Sequence, residues 1–344
     1  HRDLHYPLRR QRQMCIRDRY INDLEKGIKS QIKFFADDTS MFSIVSNLNT
    51  TANDLNHDLN LINKWALQWK MSFNPDPSKQ AVELIFSRKL KPQVHPKIYF
   101  NNNEVTEVRE HKHLGLILDS KLSFASHINE KIQIARKGIG IIRYLSSYLS
   151  ISTLDQIYKM YVRPHLDFCD VIYHIPLISN VFDSSIHLNH LMNSIERIQY
   201  QAALAITGAW KGTNLDKLYE QLGWESLTDR RWFRRLTYVY KIQNNYTPAY
   251  LKAPIPPQRT HLYGDRSDND LYEIFCKTNR YKNSFYPHSV QAWNHIGPEL
   301  RQAVSLSVFK TNILKLIRPP KREIFGVHDT KGIKRLFQLR VGLS

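Results

Sequence analysis

The stretch IKFFADDTSMFSIV, from Ile32 to Val45, consists of an apolar run, a short polar turn and a second apolar run. This pattern predicts a β-hairpin with Asp37 and Asp38 at its tip. In an arbitrary protein, two such carboxylates usually form only a solvated turn, since Asp favours turns through local hydrogen bonds. The rest of the chain is needed to choose between a binding site and a plain turn.

A binding site at this tip would suit a divalent cation. Carboxylate oxygens are the ligands that hard cations such as Mg²⁺ prefer, and a tight hairpin would hold them on rigid backbone. Neighbouring side chains of an extended chain point to opposite faces. We therefore expect at most one of the two carboxylates to ligate directly, and we favour Asp37.

The residues that follow the hairpin alternate between helical and strand patterns. One apolar stripe with helical spacing contains Ala52, Leu55, Leu59, Ile62, Ala66 and Trp69. The segment AVELIFS, from Ala81, alternates as a half-buried strand does. A further hairpin is predicted around Asn101 to Asn103, and HLGLIL, from His113, predicts one more short strand.

Helical spacing dominates after Ser120, which predicts a domain boundary there. The first helix beyond it has an apolar stripe of Phe124, Ile128, Ile132, Ala135, Ile139 and Ile142. A capped helix is predicted to start at Ser152 and to end at Arg163-Pro164. The remaining predicted helices contain Leu188, Leu191, Ile195, Ile198, Ala202 and Ala205, then SLTDRRWFRRLTYVYKI from Ser226, and finally Leu306, Phe309, Ile313 and Leu316.

The charge of the chain indicates a polyanionic partner. Its 344 residues include 49 Lys and Arg against 31 Asp and Glu, a formal net charge of +18, and the basic residues are spread over the whole length. Nucleic acid is the simplest partner of this kind, and a membrane surface is the lesser alternative. The spread favours a long charged groove over a detachable basic arm.

Cysteine usage and hydropathy predict the compartment. Cys15, Cys169 and Cys276 are odd in number and form no Cys-x-x-Cys pair, so neither a disulfide framework nor a zinc site is predicted. No apolar run approaches the ~20 residues that span a bilayer, and the Arg-rich start lacks the apolar segment of a secretory signal. We therefore expect a cytoplasmic and nuclear protein without a membrane partner.

Several motifs occur in the order found in one family of polymerases. They are YINDL from Tyr20, FADD from Phe35, MSFNPDPSKQAVELIFSRK from Met71, HKHLGLILDSKLSFASHI from His111, YKMYVRPHLDFCDVIY from Tyr158 and SVFKTNILKLIRPP from Ser307. Together they resemble the reverse transcriptases of non-LTR retrotransposons of the LINE and jockey kind. The likeness covers nearly all of Tyr20 to Ser344, and it favours the metal-binding interpretation of the hairpin.

The resemblance implies an α+β fold: a partial right-hand polymerase palm of antiparallel hairpins plus a helix, followed by a mainly helical thumb and C-terminal region. The implied segments are a palm at 20–120, thumb-like helices at 121–170 and a mainly helical C-terminal region at 171–344. Residues 1–19 match nothing in the family, and the join to Tyr20 is abrupt.

The resemblance also implies roles for individual residues. Asp37 would be a ligand of Mg²⁺, and Asp38 its less critical neighbour, in two-metal nucleotidyl transfer. Lys79 would correspond to the lysine that protonates the leaving pyrophosphate, although a Lys in such a loop is usually just a solvated cation. Leu114 and Gly115 would form the primer grip, where Gly lets a nucleic-acid backbone approach closely. The alternative is that Gly115 only accommodates a bend.

Basic residues outside these motifs are candidate phosphate contacts. They are Lys131, Arg136, Lys137 and Arg143 in the thumb-like region, which lie opposite the apolar stripe, and Arg88, Lys89 and Lys91 in a palm loop. Such contacts would hold an RNA template and DNA primer without reading sequence. The alternative is an ordinary charged helix surface. Trp65, Trp69 and Tyr99 could stack on bases, but Trp69 belongs to the apolar stripe and is expected in the core.

Two parts of the family's catalytic site have no match before the hairpin. The family places a third carboxylate on an earlier palm strand and a Gly-containing loop just before YINDL, whereas only Asp3, Asp18 and Asp23 precede the hairpin here. We therefore expect a polymerase fragment, truncated at both ends, that is inactive alone and uses deoxynucleotide triphosphates only in the complete enzyme. The alternatives are a non-catalytic RNA- and DNA-binding module and a decayed transposon remnant.

Overall fold

The computed structural model describes most of the chain between its two terminal segments. The described residues are 23–35, 38–74, 76, 81–87, 89, 94–174, 186–259 and 270–317. The chain divides into two compact units, His1–His127 and Ile128–Ser344. Helices and small, mostly antiparallel sheets are both present, which confirms the predicted α+β class. The predicted segment 1–19 lies outside the described residues.

The described part of the first unit contains eight short strands and one long helix. The strands are β1 (Gln31–Phe35), β2 (Asp38–Phe42), β3 (Val82–Glu83), β4 (Tyr99–Phe100), β5 (Asn103–Glu104), β6 (Thr106–Glu107), β7 (Glu110–His113) and β8 (Leu116–Asp119), and the helix is α1 (Leu48–Gln68). They form four two-stranded sheets. The pairs β1–β2, β4–β5 and β7–β8 are antiparallel, and β3–β6 is parallel.

The hairpin predicted from the Asp-Asp stretch is confirmed. β1 pairs with β2 in antiparallel register, with Phe35 opposite Asp38. The buried residues of the core beneath it are Leu24, Ile32, Ile62 and Phe100. Among the described strands, no third one pairs with this hairpin, and Phe35 and Phe42 are exposed on it.

Helix α1 holds the hairpin through a buried carboxylate. The Asp58 side chain is fully buried and accepts hydrogen bonds from the backbone nitrogens of Lys29 (3.0 Å) and Ser30 (2.8 Å), just before β1. Burial acts to raise the pKa of Asp58, but its hydrogen bonds outweigh burial and lower that pKa from its ordinary value. The charged form of Asp58 therefore fixes the start of β1 to α1.

Two-residue turns close two of the small sheets. Asn101 and Asn102 join β4 to β5 with φ values of 50° and 64°, the positive values that a type I′ turn requires and Asn tolerates. This is the hairpin predicted around these asparagines. HLGLIL, predicted as one strand, instead includes a hairpin turn at Leu114 and Gly115 between β7 and β8. The strand predicted from AVELIFS is shorter than expected, because β3 has only two residues.

The described part of the second unit is helical. Its helices are α2 (Ala125–Leu145), which begins in the first unit, α3 (Ile151–Ile157), α4 (Arg163–Asp167), α5 (Asp170–Tyr173), α6 (Ile186–Thr207), α7 (Leu215–Leu222), α8 (Leu227–Gln243), α9 (Asn279–Lys282), α10 (Phe285–His295), α11 (Pro298–Arg301) and α12 (Leu306–Ile317). A π-helical segment, Tyr158–Val162, joins α3 to α4. Within the described ranges, no helix is long and apolar enough to cross a membrane.

Most described residues of the apolar stripes predicted for the long helices are buried, but Leu316, predicted in the last stripe, is 46% exposed. The buried stripe residues are Ile128, Ile132, Ala135, Ile139 and Ile142 on α2, Leu191, Ile195, Ile198, Ala202 and Ala205 on α6, and Phe309 and Ile313 on α12. Phe124, which was assigned to the α2 stripe, instead precedes the helix. The Asp119 carboxylate accepts hydrogen bonds from the backbone nitrogens of Ser123 (3.0 Å) and Phe124 (2.7 Å). These bonds hold the loop after β8 as far as Phe124, and α2 begins at Ala125.

The helix predicted from Ser152 differs from expectation at both ends. Its N-cap is Ser150, whose hydroxyl accepts a hydrogen bond from the backbone nitrogen of Thr153. The predicted end at Pro164 is wrong, because the chain continues through the π-helical segment into α4. There the backbone nitrogen of Arg163 donates to the carbonyl of Tyr158, five residues back. In an α-helix, a proline ring clashes with the carbonyl four residues back. We attribute the continuation of the helix through Pro164 to the wider π-helical turn before it.

Candidate nucleic-acid interface

The tip of the β1–β2 hairpin presents one described carboxylate. Asp38 is exposed as the first residue of β2, opposite Phe35. Asp37 lies outside the described residues, so its role stays a prediction. In the part of the chain that the structure describes, no three His, Cys, Asp or Glu side chains lie together as metal ligands would. These residues alone therefore do not fit a complete Mg²⁺ site.

The predicted palm loop is only partly described. Three of its predicted functional residues lie outside the described residues: Lys79, Arg88 and Lys91. Lys89 is described and exposed. The Lys121 ammonium donates to the carbonyls of Ser87 (3.0 Å) and Lys89 (2.8 Å), which fixes the loop backbone beside β8. The side chain of Lys89 is therefore exposed on a loop whose backbone is fixed by Lys121.

A histidine joins the two strands beside this loop. The β3–β6 pairing places Glu83 next to Glu107, and His95 Nε2 lies 4.0 Å and 3.5 Å from their respective carboxylates. Burial acts to lower the pKa of His95, but a hydrogen bond at the Pro96 carbonyl and the two carboxylates outweigh it and raise that pKa. Burial raises the pKa of Glu83. His95 therefore lies between the two strands, and the two carboxylates favour its protonated form.

The predicted primer grip is a hairpin turn. Leu114 and Gly115 have φ values of 47° and 84° and join His113 to Leu116, the last pair of β7 and β8. Positive φ is easy for Gly but strains a bulky residue such as Leu. The turn itself requires a residue such as Gly115, so the glycine alone does not distinguish a bend from a primer contact. The strained Leu114 is 42% exposed, so the turn displays an apolar side chain to solvent.

Helix α2 separates the four basic residues that were predicted to lie opposite its apolar stripe. The Lys131 side chain is only 12% exposed, and its Nζ lies 3.5 Å from Glu130 and 5.0 Å from the centre of the Phe168 ring. The prediction that Lys131 lies on the outer face is therefore wrong, because its ammonium is drawn against an aromatic ring and a carboxylate. Arg136, Lys137 and Arg143 are exposed as expected.

The exposed side of α2 and the turn after it also carry apolar and aromatic residues that the sequence analysis did not single out. Ile141, Tyr144 and Tyr148 are 59%, 71% and 73% exposed, and the two tyrosine rings are 5.9 Å apart. Their spacing of three and four residues, which extends back to Lys137, is the signal that could have identified them. We define the α2 face as Arg136, Lys137, Gly140, Ile141, Arg143 and Tyr144 of the helix, together with Tyr148 in the turn that follows it.

Two glycines of α2 have contrasting surroundings. A Cβ on Gly138 would lie 2.7 Å from Cγ2 of Val162, so Gly138 allows the π-helical segment to pack closely against α2. A Cβ on Gly140 would meet no atom within 4 Å, and Gly140 is exposed. Glycine inside a helix costs about 0.5–1 kcal/mol relative to Ala. No packing contact among the described residues requires a glycine at position 140. A glycine there would let the backbone of a binding partner approach the helix closely.

The aromatic residues considered for base stacking lie in different environments. Trp65 is partly buried against the core beneath the hairpin. Trp69 was expected in the core but is 39% exposed, because α1 ends at Gln68 and Trp69 is its C-cap. Tyr99 is exposed on β4. Trp69 and Tyr99 therefore stay candidates for stacking.

The four arginines of α8 are bound inside the second unit. Arg230 Nε donates to both carboxylate oxygens of Asp167, at 3.3 Å and 3.0 Å. Arg234 pairs with the same carboxylate and donates from Nη1 to Asp170, at 2.9 Å. Burial raises the pKa of Asp170 in spite of its arginine neighbours. These ion pairs hold α8 to α4 and α5.

Two of these arginines are almost completely buried. Arg231 donates to the carbonyl of Leu166 at 3.2 Å, and Arg235 donates to the carbonyl of His174 at 3.0 Å and to Nδ1 of His288 at 2.6 Å. Burial and the adjacent guanidinium groups lower the pKa of His174 well below its ordinary value and that of His288 to about 3. Both histidines are therefore neutral, and Nδ1 of His174, 3.4 Å from Arg231 Nη1, accepts as Nδ1 of His288 does.

Comparisons with known proteins agree with the motifs. Both relatives described here are polymerases of mobile genetic elements. One is an RNA-directed DNA polymerase from the mobile element jockey of Drosophila funebris, 26% identical over 147 residues, which are 42% of this chain and 16% of the relative. The other is the jockey enzyme of Drosophila melanogaster, 24% identical over 181 residues, 52% of this chain and 18% of the relative.

These matches confirm the resemblance to jockey-like non-LTR reverse transcriptases. The chain spans less than a fifth of the length of these two relatives. No family model matches the chain, and no solved structure matches it. The similarity therefore rests on sequence, and the assignment of palm and thumb stays a prediction.

Proposed function

We propose that this chain is part of an RNA-directed DNA polymerase of a non-LTR retrotransposon, and that it holds an RNA template paired with a DNA primer. The observation that carries the proposal is the α2 face, where three exposed cations lie near two exposed tyrosines. The similarity to the jockey polymerases supports nucleic acid as the partner. We further propose that the protein works in the cytoplasm and the nucleus.

The α2 face has the chemistry that a duplex backbone needs. Arg136, Lys137 and Arg143 can each neutralise a phosphate and release its counterions, which favours binding without reading sequence. Tyr144 and Tyr148 add flat apolar area with a polar hydroxyl, which suits the sugar and base edges of a groove. We assign positioning of the duplex to this face.

For the complete polymerase, we propose that Asp37 contributes to binding Mg²⁺, with Asp38 as its less critical neighbour, in two-metal nucleotidyl transfer from deoxynucleotide triphosphates. We assign Lys79 to pyrophosphate protonation and the Leu114–Gly115 turn to the primer. The described residues do not assemble a metal site. We propose that this chain alone binds template-primer but does not extend it.

Binding is tested with the purified chain and a labelled RNA–DNA hybrid, titrated by fluorescence anisotropy between 50 and 200 mM salt. The affinity should fall with a log–log slope of about −0.9 for each phosphate contacted, so at least roughly −2.7 for the three exposed cations. Asp37→Asn and Asp38→Asn should leave this binding unchanged. Binding that ignores salt, or no binding, would contradict the proposal.

Catalysis is tested separately with the same hybrid, Mg²⁺ and deoxynucleotide triphosphates. We expect no primer extension above a control without protein. Extension that disappears in Asp37→Asn would show that the chain completes its own active site, and it would reject the proposal of an inactive fragment while supporting the polymerase assignment.

A further inference from the structure

The connection between α6 and α7 is a tight turn that displays a tryptophan. We define the Trp210 turn as residues 208–213. The Trp210 side chain is 88% exposed, although indole is among the largest apolar groups a protein can bury. Single exposed apolar residues are common and need no explanation by themselves. The unusual feature here is how firmly the backbone beneath the indole is held.

Hydrogen bonds fix the turn from both sides. The Tyr200 hydroxyl accepts from the backbone nitrogen of Gly212 (3.0 Å) and donates to the carbonyl of Thr213 (3.1 Å). The carbonyl of Trp210 accepts from both the backbone nitrogen (3.1 Å) and the hydroxyl (2.7 Å) of Thr213. Gly208 and Gly212 have φ values of 69° and 101°, a region that L side chains rarely adopt. The indole is therefore presented on an ordered backbone.

The surroundings of the indole favour a small planar ligand over a protein surface. Apart from Trp210, the exposed residues of this stretch are polar or glycine, namely Lys211, Gly212, Asn214, Asp216 and Lys217, whereas the apolar Ala209 and Leu215 are partly buried. A protein partner usually buries a contiguous apolar patch, whereas Trp210 is the one fully exposed apolar residue from 208 to 217. A nucleobase needs only one aromatic face, and its phosphate needs one nearby cation, which Lys211 supplies.

We infer that the Trp210 turn binds single-stranded nucleic acid by stacking the indole of Trp210 on one unpaired base, while Lys211 contacts an adjacent phosphate. An unpaired base is required because a base inside a duplex is already stacked and takes a few kcal/mol to extract. This inference rests on the proposed function only in taking nucleic acid as the partner, since it concerns a different surface and a different strand state.

The test uses the full chain with two labelled probes, an unpaired RNA oligonucleotide and the RNA–DNA hybrid. Trp210→Ala should weaken binding of the unpaired RNA roughly 5- to 150-fold and leave binding of the hybrid unchanged. Trp210→Phe should retain most of the affinity, because a ring remains. Trp210→Leu should behave like the alanine variant, because leucine is apolar but cannot stack.

Lys211→Gln provides an independent readout, since it should reduce the salt slope for unpaired RNA by about 0.7, whereas Trp210→Ala should leave that slope unchanged. The thermal midpoint of each variant should match the parent, because both side chains are exposed. Equal affinities of the parent and Trp210→Ala for unpaired RNA, or equal affinities of the Leu and Phe variants, would overturn the inference. If the parent binds the hybrid and only the Trp210 effects are missing, the proposed function survives; if it binds neither probe, both proposals fail.

Discussion

Two helices of the second unit are rich in basic residues, yet they use them in opposite ways. On α2, Arg136, Lys137 and Arg143 are exposed beside two exposed tyrosines. On α8, all four arginines bond to carboxylates, carbonyls or histidines of the same unit. The difference shows that a net charge of +18 overstates the surface available to a polyanion, because part of it serves internal bonding.

The reason for the difference is the partner that each side chain meets locally. Asp167 and Asp170 lie where α4 and α5 pack against α8, and a buried guanidinium is tolerated only with such partners. The outer side of α2 faces solvent, and long cationic side chains lose nothing there. The comparison predicts that charge removal on α8 affects stability, whereas charge removal on α2 affects binding.

The largest effect should follow from removing a carboxylate beneath α8. Asp170→Ala removes the buried carboxylate that lies 2.9 Å from Arg234 Nη1 and 4.0 Å from the buried Arg231 Nε, and breaking such a buried pair typically costs 3–5 kcal/mol. We expect the free energy of unfolding, measured by urea denaturation, to fall by about that much. Glu273→Ala, at an exposed position outside any helix or strand, is the control and should change it by less than about 0.5 kcal/mol. An unaffected Asp170→Ala would mean that the network is not structural.

Acid should weaken the same region. His288, which faces Arg235 and His295, has a folded pKa of about 3, below the ordinary value near 6.5. The unfolded chain therefore binds this proton more readily, so stability is lost as pH falls from about 6.5 towards 3, by about 1.4 kcal/mol per pH unit. His288→Gln keeps an acceptor for Arg235 and should remove that increment from the pH dependence of unfolding. An identical pH dependence in the variant would contradict this assignment.

On α2, we expect the opposite readout. Replacing Arg136, Lys137 and Arg143 together by Gln should reduce the salt slope for the RNA–DNA hybrid by about 2.7 and its affinity roughly 10- to 100-fold, with little change in unfolding free energy. The matched control replaces the exposed Lys277, Lys282 and Lys315 and removes the same charge elsewhere. If both triple variants lose affinity equally, the effect is one of net charge and the α2 face has no special role.

The sequence predicted the hairpin and most long helices because their apolar residues follow a simple period. Burial of Ile139 and exposure of Arg143 both follow from that period. It could not predict that Lys131 turns onto Phe168, because that contact joins residues 37 positions apart. Nor could it predict that Pro164 continues a helix, since the π-helical turn upstream depends on tertiary packing. Asp37, the central residue of the sequence argument, lies outside the described residues.

The smallest expected effect is that of Gly140→Ala, a change within α2 that should alter stability and binding in opposite directions. Gly140→Ala should stabilise the chain by about 0.5–1 kcal/mol, because alanine favours a helix and its Cβ meets no atom within 4 Å. If a nucleic-acid backbone approaches at Gly140, the same methyl group should weaken hybrid binding, by about fivefold for the loss of one contact of about 1 kcal/mol.

The control for that variant is Gly138→Ala, two residues away, whose new Cβ would lie 2.7 Å from Val162. It should lower the unfolding free energy by about 1–3 kcal/mol through overpacking and leave binding by the folded protein unchanged. A Gly140→Ala variant that is more stable but binds the hybrid more weakly is the result expected only if α2 contacts the nucleic acid at this position. If Gly140→Ala instead binds the hybrid as well as the parent does, the duplex does not approach α2 at this glycine. Only the cations of the α2 face would then remain as proposed contacts.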